Sequence, residues 1–138
     1  MSGGLLLDVT SHSLGLATAG GYAETLIPKN TPIPAEGTRV FRPAKDGQTS
    51  IIIRVCQGES RRFDENTPLG EIALDEMPGV QRAEARIEVS FLVDANGMLR
   101  VSARELSTGQ EARANLSIFG VAPESGESPG QHDVEPVP

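Results

Sequence analysis

Few residues of this 138-residue chain have the types and spacing that chemistry requires. His12 and His132 lie near opposite ends, and neither has a histidine or cysteine at metal-ligand spacing. The acidic pairs Asp64-Glu65 and Asp75-Glu76 are adjacent residues, which would point to opposite faces of a strand or be solvated in a turn. No nucleophile elbow or phosphate-binding loop is present. The sequence therefore predicts no enzyme, no metal site and no cofactor in this domain.

A binding function is favoured by the apolar segment Ser50-Ile51-Ile52-Ile53. A sandwich strand with one solvated face should alternate apolar and polar residues, so something other than solvent must cover the second face of this segment. A loop of the chain or an extended ligand in a groove could supply that cover, and both alternatives stay open. Leu14 and Leu16 are candidates for the facing wall, because Gly15 between them lets two backbones approach closely.

Length and charge narrow the class of protein. A chain with 38% hydrophobic residues at this length suits one globular domain. All 12 Lys and Arg and 15 of the 19 acids precede residue 121, so the last 18 residues carry a charge of −4 with no base. The surplus of acid argues against nucleic acid as a partner and favours peptide ligands with basic flanks.

The single cysteine and the hydropathy pattern indicate where in the cell the protein is expected. Cys56 excludes an internal disulfide, and its apolar strand predicts a buried thiol in a reducing compartment. No apolar run approaches the roughly 18 residues of a membrane span, and no signal peptide is evident at the N-terminus. We therefore expect a cytoplasmic location and no membrane partner.

The pattern of secondary structure is all-β. Short segments rich in Val, Ile, Thr and Leu, with a period near two, alternate with Gly and Pro turns. The expected strands are 22–27, 39–43, 50–57, 69–74, 85–93, 98–103 and 112–119. We predict a two-sheet antiparallel β-sandwich of seven or eight short strands with little or no helix. The Asn96-Gly97 pair predicts a tight hairpin turn, and the polar, Pro-rich segment 121–138 predicts a disordered tail.

The N-terminal residues Leu5, Leu6, Leu7 and Asp8 precede any expected core strand. They fit either the remnant of an interdomain linker, over residues 1–8, or an N-terminal strand paired to a sheet edge. Residues 9–120 would then form the sandwich domain. Because a short leucine-rich segment is itself a plausible groove ligand, we expect head-to-tail self-association, with this segment favoured over the proline-rich tail of a neighbouring molecule.

A series of short motifs in one order resembles the β-sandwich substrate-binding domain of DnaK-type chaperones, the seventy-kilodalton heat-shock family. The motifs are LLLDVT, SLG, the Gly20-Gly21 pair, TLIPKNTPIP, the Asp46-x-Gln48 turn, QGE at 57–59, LG at 69–70 and IEVSFLVDANGMLRVSA at 87–103. The resemblance covers residues 5 to about 120. It implies a non-catalytic domain that grips extended hydrophobic segments of unfolded proteins, under the control of ATP bound to a neighbouring ATPase domain.

The resemblance also implies roles for particular positions. The groove would be lined by six apolar residues, with Ile51 at the central pocket: Leu16, Phe41, Ile51, Ile53, Ile87 and Val89. Ala19 and Ala44 stand where the family closes a side-chain arch over the peptide, and alanine predicts a weak arch or none. Lys29, Asn30 and Arg82 fall where the family contacts its ATPase domain.

Several departures from the family pattern concern communication between domains more than peptide binding. Ser11-His12 stands where a proline is usual, Asn96 replaces a common aspartate, and an acidic tail follows residue 120 in place of the helical lid. The leading hypothesis is a chaperone substrate-binding domain without its ATPase domain and lid. The alternative is a non-catalytic adaptor sandwich that recruits one fixed protein partner.

Overall fold

The chain is described by a computed structural model over residues 8–75, 84–119 and 134–137. These ranges contain nine β-strands and one turn of 3₁₀ helix, Phe63–Glu65. The strands are β1 Leu14–Thr18, β2 Tyr22–Ile27, β3 Ala35–Pro43, β4 Ile51–Gln57, β5 Thr67–Leu74, β6 Ile87–Val93, β7 Met98–Glu105, β8 Glu111–Ser117 and β9 Val134–Pro136. The all-β expectation is confirmed, with no α-helix in the described ranges.

The strands form two antiparallel sheets of four, with orders β2-β1-β4-β5 and β3-β6-β7-β8. The last strand, β9, lies between β1 and β3 and joins the two sheets along one side. At the opposite side β5 packs near β8, where Gly70 lies against the Leu116 side chain. The predicted two-sheet sandwich is therefore present, and the short strand β9 closes one of its open sides.

The core lies between the sheets and follows the alternation of each strand. In β6, for example, Ile87, Val89, Phe91 and Val93 are fully buried, while the residues between them are at least partly exposed. In the neighbouring strand β7, every second residue is likewise buried. This period of two is the signal from which these strands were predicted.

A glycine in β1 sets the spacing of the first sheet. A Cβ atom on Gly15 would lie 2.3 Å from the backbone oxygen of Glu24 in β2, where the register of the two strands shifts. Such a distance excludes any larger residue without displacement of the backbone. The predicted close approach at Gly15 is confirmed, although the backbone it meets is β2 and not a ligand.

The hairpin between β6 and β7 has a different turn from the expected one. Of its four loop residues, Asp94 to Gly97, only Gly97 has a positive φ, of 82°. The Asp94 carboxylate accepts hydrogen bonds from the amides of Asn96 and Met98, at 2.9 and 3.0 Å. The expected turn has two loop residues, both with positive φ. The observed turn is a longer loop that the Asp94 side chain caps.

The expectation of disorder over 121–138 is wrong at residues 134–136. There the chain forms β9, and Val134 has no exposed surface. The remainder of that segment, 120–133 and Pro138, lies outside the described residues, as do Leu5, Leu6, Leu7 and Arg82.

Candidate functional site

The candidate site is the gap between β1 and β3, which β9 occupies. Thr18 of β1 pairs in parallel with Val134, and the amide of Ala19 donates a 2.8 Å hydrogen bond to the Val134 carbonyl oxygen. On the other side β9 runs antiparallel to β3, with Arg42 opposite Glu135 and Pro43 opposite Val134. An extended three-residue segment is thus held through its backbone from both sides.

The Val134 side chain lies in the apolar end of this gap. It belongs to the same cluster of buried residues as all six apolar positions assigned to the groove, and each of these is 0% exposed. They are Leu16, Phe41, Ile51, Ile53, Ile87 and Val89. The backbone of β9 also comes within 8 Å of β4, measured between Cα atoms. This cluster is the core of the whole sandwich, so the six predicted residues and Val134 share one apolar core.

The two alanines lie at the rims of the gap. Ala19 follows β1, and Ala44 follows β3 directly; both are half-buried. The turn after Ala44 is held by Gln48, which accepts a hydrogen bond from the Lys45 amide and donates one to the Ser50 carbonyl oxygen, both at 3.1 Å. A methyl group on each side cannot reach across a bound segment, so the rims leave its outer face uncovered.

A charged pair crosses the rim beside the alanines. The Arg42 Nε donates a 2.7 Å hydrogen bond to Glu135 Oε1, and the two side chains are only 25% and 23% exposed. Sequence reasoning missed Arg42, because it alternates with the inward-facing Phe41 and Pro43 and so reads as a solvated strand residue. Thr18 was also missed. No sequence signal singles out either residue without knowledge of what lies opposite.

Part of the second face of β4 is covered by the chain itself. Arg54 and Cys56 lie on that face and are 8% and 2% exposed. The segment Ser60 to Asn66, with its 3₁₀ turn, lies over them: Phe63 and Asp64 share a cavity wall with Arg54, and Asn66 Nδ2 is 3.9 Å from the Cys56 sulfur. The loop covers this face at Arg54 and Cys56, whereas Ile52, which lies on the same face in the apolar segment, is half-exposed. For Ile52 the two alternatives stay open. Ile51 and Ile53 lie on the other face of β4, which faces the core, and both are fully buried.

Burial dominates the chemistry of the single thiol. Desolvation raises the pKa of Cys56 to about 11, and a hydrogen bond from Asn66 lowers it only in part. The thiol is therefore neutral at physiological pH, which suits a packed apolar residue better than a nucleophile. The predicted buried thiol is confirmed.

Some of the residues assigned to interdomain contact lie near one another. Lys29 and Asn30 form an exposed turn after β2, and Asp8 runs alongside that turn, where the Ile33 amide donates a 2.9 Å hydrogen bond to the Asp8 carbonyl oxygen. Thr10 ties the two segments together by accepting a bond from the Thr31 amide at 3.0 Å. The structure thus places three of the predicted interdomain residues on one surface.

Glu59 fixes the neighbouring loop to this surface. Its carboxylate accepts hydrogen bonds from the backbone amide and the hydroxyl of Ser13, at 2.9 and 2.8 Å. These bonds, the backbone one foremost, lower the pKa of Glu59. Ser13 in turn accepts a bond from the Lys29 amide at 2.9 Å. The glutamate of the QGE motif therefore has a structural role that links the loop after β4 to the turn after β2.

The described ranges offer neither a metal-binding cluster nor a membrane-spanning helix. No cluster of three or more His, Cys, Asp or Glu side chains there is arranged to hold a metal ion. Within the same ranges no helix has the length and apolar character needed to cross a membrane.

Comparison with known proteins assigns the class. The model of the family described as Hsp70 protein matches residues 2–132. That match covers nearly the whole chain, so the chain belongs to the Hsp70 family.

A particular relative agrees with the family assignment. The chain is 46% identical over 113 residues to "Chaperone protein DnaK" of Elusimicrobium minutum (strain Pei191). The matched region is 82% of this chain but 18% of the relative. The chain therefore spans about a fifth of the length of this curated relative.

Proposed function

We propose that the chain binds extended apolar segments of unfolded polypeptides in the gap between β1 and β3, as the substrate-binding part of an Hsp70-type chaperone. The observation that carries this proposal is β9 itself, a short extended segment with strand pairing on both sides and its aliphatic side chain fully buried. A segment of another protein with the same shape can make the same contacts.

The two kinds of contact have different consequences for selectivity. Backbone pairing to Thr18 and Arg42 requires only an extended main chain, so it supports binding of many sequences. The burial of one side chain of β9, Val134, in the core that also contains Ile51 supports a preference for one aliphatic side chain per segment. Together they fit a binder that accepts unrelated polypeptides as long as each exposes a Leu-like or Ile-like residue.

Affinity and lifetime follow from the short contact and the open rims. An extended peptide of about seven residues, with more backbone contacts than β9 and one buried anchor, fits a dissociation constant near micromolar, about −8 kcal/mol. Since Ala19 and Ala44 cannot close over the ligand, little opposes dissociation, and differences among related complexes lie mostly in the off-rate. We expect rapid exchange of bound peptide.

Coupling to an ATPase domain is a further part of the proposal. Asp8, Lys29 and Asn30 lie on one surface, which suits a docking face for a neighbouring domain. ATP would bind to that domain and not to this one. A cytoplasmic location fits the buried, unpaired Cys56.

The test is a titration of the complete chain with a panel of unrelated fluorescein-labelled nonapeptides that each carry a central Leu. We expect most of the panel to bind near micromolar affinity. Ile51→Phe should fill the central pocket and weaken binding at least tenfold, about 1.4 kcal/mol. Ile52→Phe is the matched control, because Ile52 lies on the opposite, half-exposed face of β4 and should leave affinity unchanged.

The thermal unfolding temperatures of both variants distinguish a folding defect from a binding defect. If Ile51→Phe unfolds near the wild-type temperature and still binds the panel with wild-type affinity, the assigned pocket is wrong. If only one peptide of the panel binds, the chain recruits a fixed partner and the adaptor alternative replaces the chaperone function.

A further inference from the structure

The ion pair between Arg42 and Glu135 indicates a preference for ligand charge, which the apolar pocket does not provide. Arg42 lies on β3 between two buried residues, so its side chain projects away from the core at the rim of the gap. Its Nε reaches Glu135 Oε1 at 2.7 Å. About three quarters of each side chain is covered, so solvent weakens this pair less than it weakens an exposed one.

The position of the acid relative to the anchor is fixed by strand direction. Glu135 directly follows Val134, and β9 runs parallel to β1 and antiparallel to β3. In this orientation the residue after the buried anchor falls opposite Arg42. Any ligand that binds in the same direction presents its own next residue to the same guanidinium.

We propose that Arg42 makes the groove selective for segments in which an acidic residue directly follows the buried aliphatic residue, and that residues 134–136 are a built-in ligand of this kind, which competes with other peptides. This inference rests on the proposed function of the groove. At this one position it reverses the preference for basic residues that the net negative charge of the chain favours elsewhere.

Residues 134–136 compete with added peptides because the same chain tethers them to the groove. Residues 120–133 connect the sandwich to β9, and a ligand on so short a tether experiences an effective concentration of about millimolar. A three-residue segment with one anchor binds weakly by itself, so the tethered state is favoured by a modest factor. An added peptide must displace it, and its apparent affinity falls by the same factor, of about three to tenfold.

The test compares three fluorescein-labelled nonapeptides that differ only at the residue after a central Leu, which is Glu, Gln or Lys. With the wild-type chain we expect the order Glu, Gln, Lys, with about tenfold between the first and last. Arg42→Glu should reverse this order, and Arg42→Gln should remove it. Both variants keep the backbone that pairs with the ligand.

Competition is measured with the neutral Gln peptide, which is indifferent to the charge preference. Glu135→Lys and Val134→Asp should each raise its apparent affinity about three to tenfold, because each weakens the built-in ligand. Glu127→Lys makes the same change in net charge elsewhere in the tail and should have no effect. The double variant Arg42→Glu, Glu135→Lys restores the ion pair and should return the apparent affinity for this peptide toward the wild-type value.

Each outcome separates this inference from the proposed function. If all three peptides bind the wild type and Arg42→Glu with equal affinity, Arg42 is not a selectivity residue although the groove still binds peptides. If Glu135→Lys and Val134→Asp leave the Gln peptide unaffected, the built-in ligand does not compete. If no variant binds any of the three, the proposed function itself fails.

Discussion

At the scale of single residues, the carboxylate of Glu105 is a structural element that polar patterning does not reveal. Glu105 has no exposed surface, yet it accepts hydrogen bonds from the amides of Ser107, Thr108 and Arg86, at 3.1, 3.0 and 3.3 Å, and from the Ser107 hydroxyl. Burial by itself raises the pKa of Glu105, but the hydrogen bonds outweigh it and leave the pKa below its usual range. The carboxylate fixes the turn after β7 to the start of β6.

Replacement of Glu105 by Gln should lower the free energy of unfolding by about 1–3 kcal/mol at pH 7, because the amide cannot accept the same set of bonds. The lowered pKa means that the carboxylate stabilises the fold fully above the ordinary Glu value of about 4.3, and that this contribution is lost as pH falls through the folded value. The difference between wild type and variant should therefore shrink from pH 7 to pH 3.

Urea denaturation at both pH values measures this effect. Glu88→Gln, on the half-exposed side of β6, is the control and should change stability by less than about 0.5 kcal/mol. An equal loss for Glu105→Gln at pH 7 and pH 3 would show that the ionised carboxylate is not the stabilising group.

Residue-level prediction from the sequence was successful where burial alone decides the role. The burial of Cys56 and of the six apolar positions assigned to the groove follows from strand alternation. The groove role of those six positions stays a prediction. The roles of Glu105, Arg42 and Thr18 do not follow from strand alternation, because each depends on which groups the fold brings opposite. A buried charged residue has no sequence signature apart from its hydrogen-bond partners.

At the scale of elements, Gly15 tests how tightly β1 and β2 must approach. A Cβ at this position would lie 2.3 Å from the Glu24 carbonyl oxygen, a distance that neither backbone can accept without movement. Gly15→Ala should lower the free energy of unfolding by about 2 kcal/mol, the usual size of an overpacking defect. Urea denaturation measures it, and Ser102→Ala on the half-exposed face of β7 should stay within about 0.5 kcal/mol of wild type. Wild-type stability of Gly15→Ala would contradict the close approach.

Elements were predicted well where a long alternating pattern defines them. The expected strands at 50–57, 98–103 and 112–119 correspond to β4, β7 and β8 within a few residues. Strand β3 begins at Ala35, four residues before the expected start, because Gly37 sits within the strand and reads as a turn residue. Strand β9 has three residues, the last of them proline, and a segment that short contains no periodic signal.

At the scale of the whole molecule, the β9 segment changes the expectation of self-association. The leucine-rich leader of a neighbouring molecule was expected to enter the groove in preference to the proline-rich tail. The structure places the tail of the same chain there. The preference for the leader over the tail of a neighbouring molecule stays a prediction. Head-to-tail association through Leu5, Leu6 and Leu7 remains a proposal, and it requires displacement of β9 first.

The sequence could not reveal this arrangement for a physical reason. The backbone partners of Val134 and Glu135 lie more than 90 positions earlier in the chain, and backbone pairing carries no side-chain code. The tail also has the composition of a disordered segment. The residues proposed for the site were assigned from the family resemblance, which carries no information on the segment that lies between β1 and β3.

An NMR titration tests whether β1 and β3 hold an extended peptide above the part of the apolar core that contains Ile51. Amide chemical shifts of the complete chain are recorded as an unlabelled nonapeptide with a central Leu is added to saturation. We expect the largest changes at Ala19, Arg42 and Ile51, and we expect Val134 and Glu135 to shift together as β9 leaves the groove. If the changes are confined to the outer face of β7 and β8, around Arg100 and Arg113, and Ala19 and Ile51 do not shift, the peptide does not bind between β1 and β3.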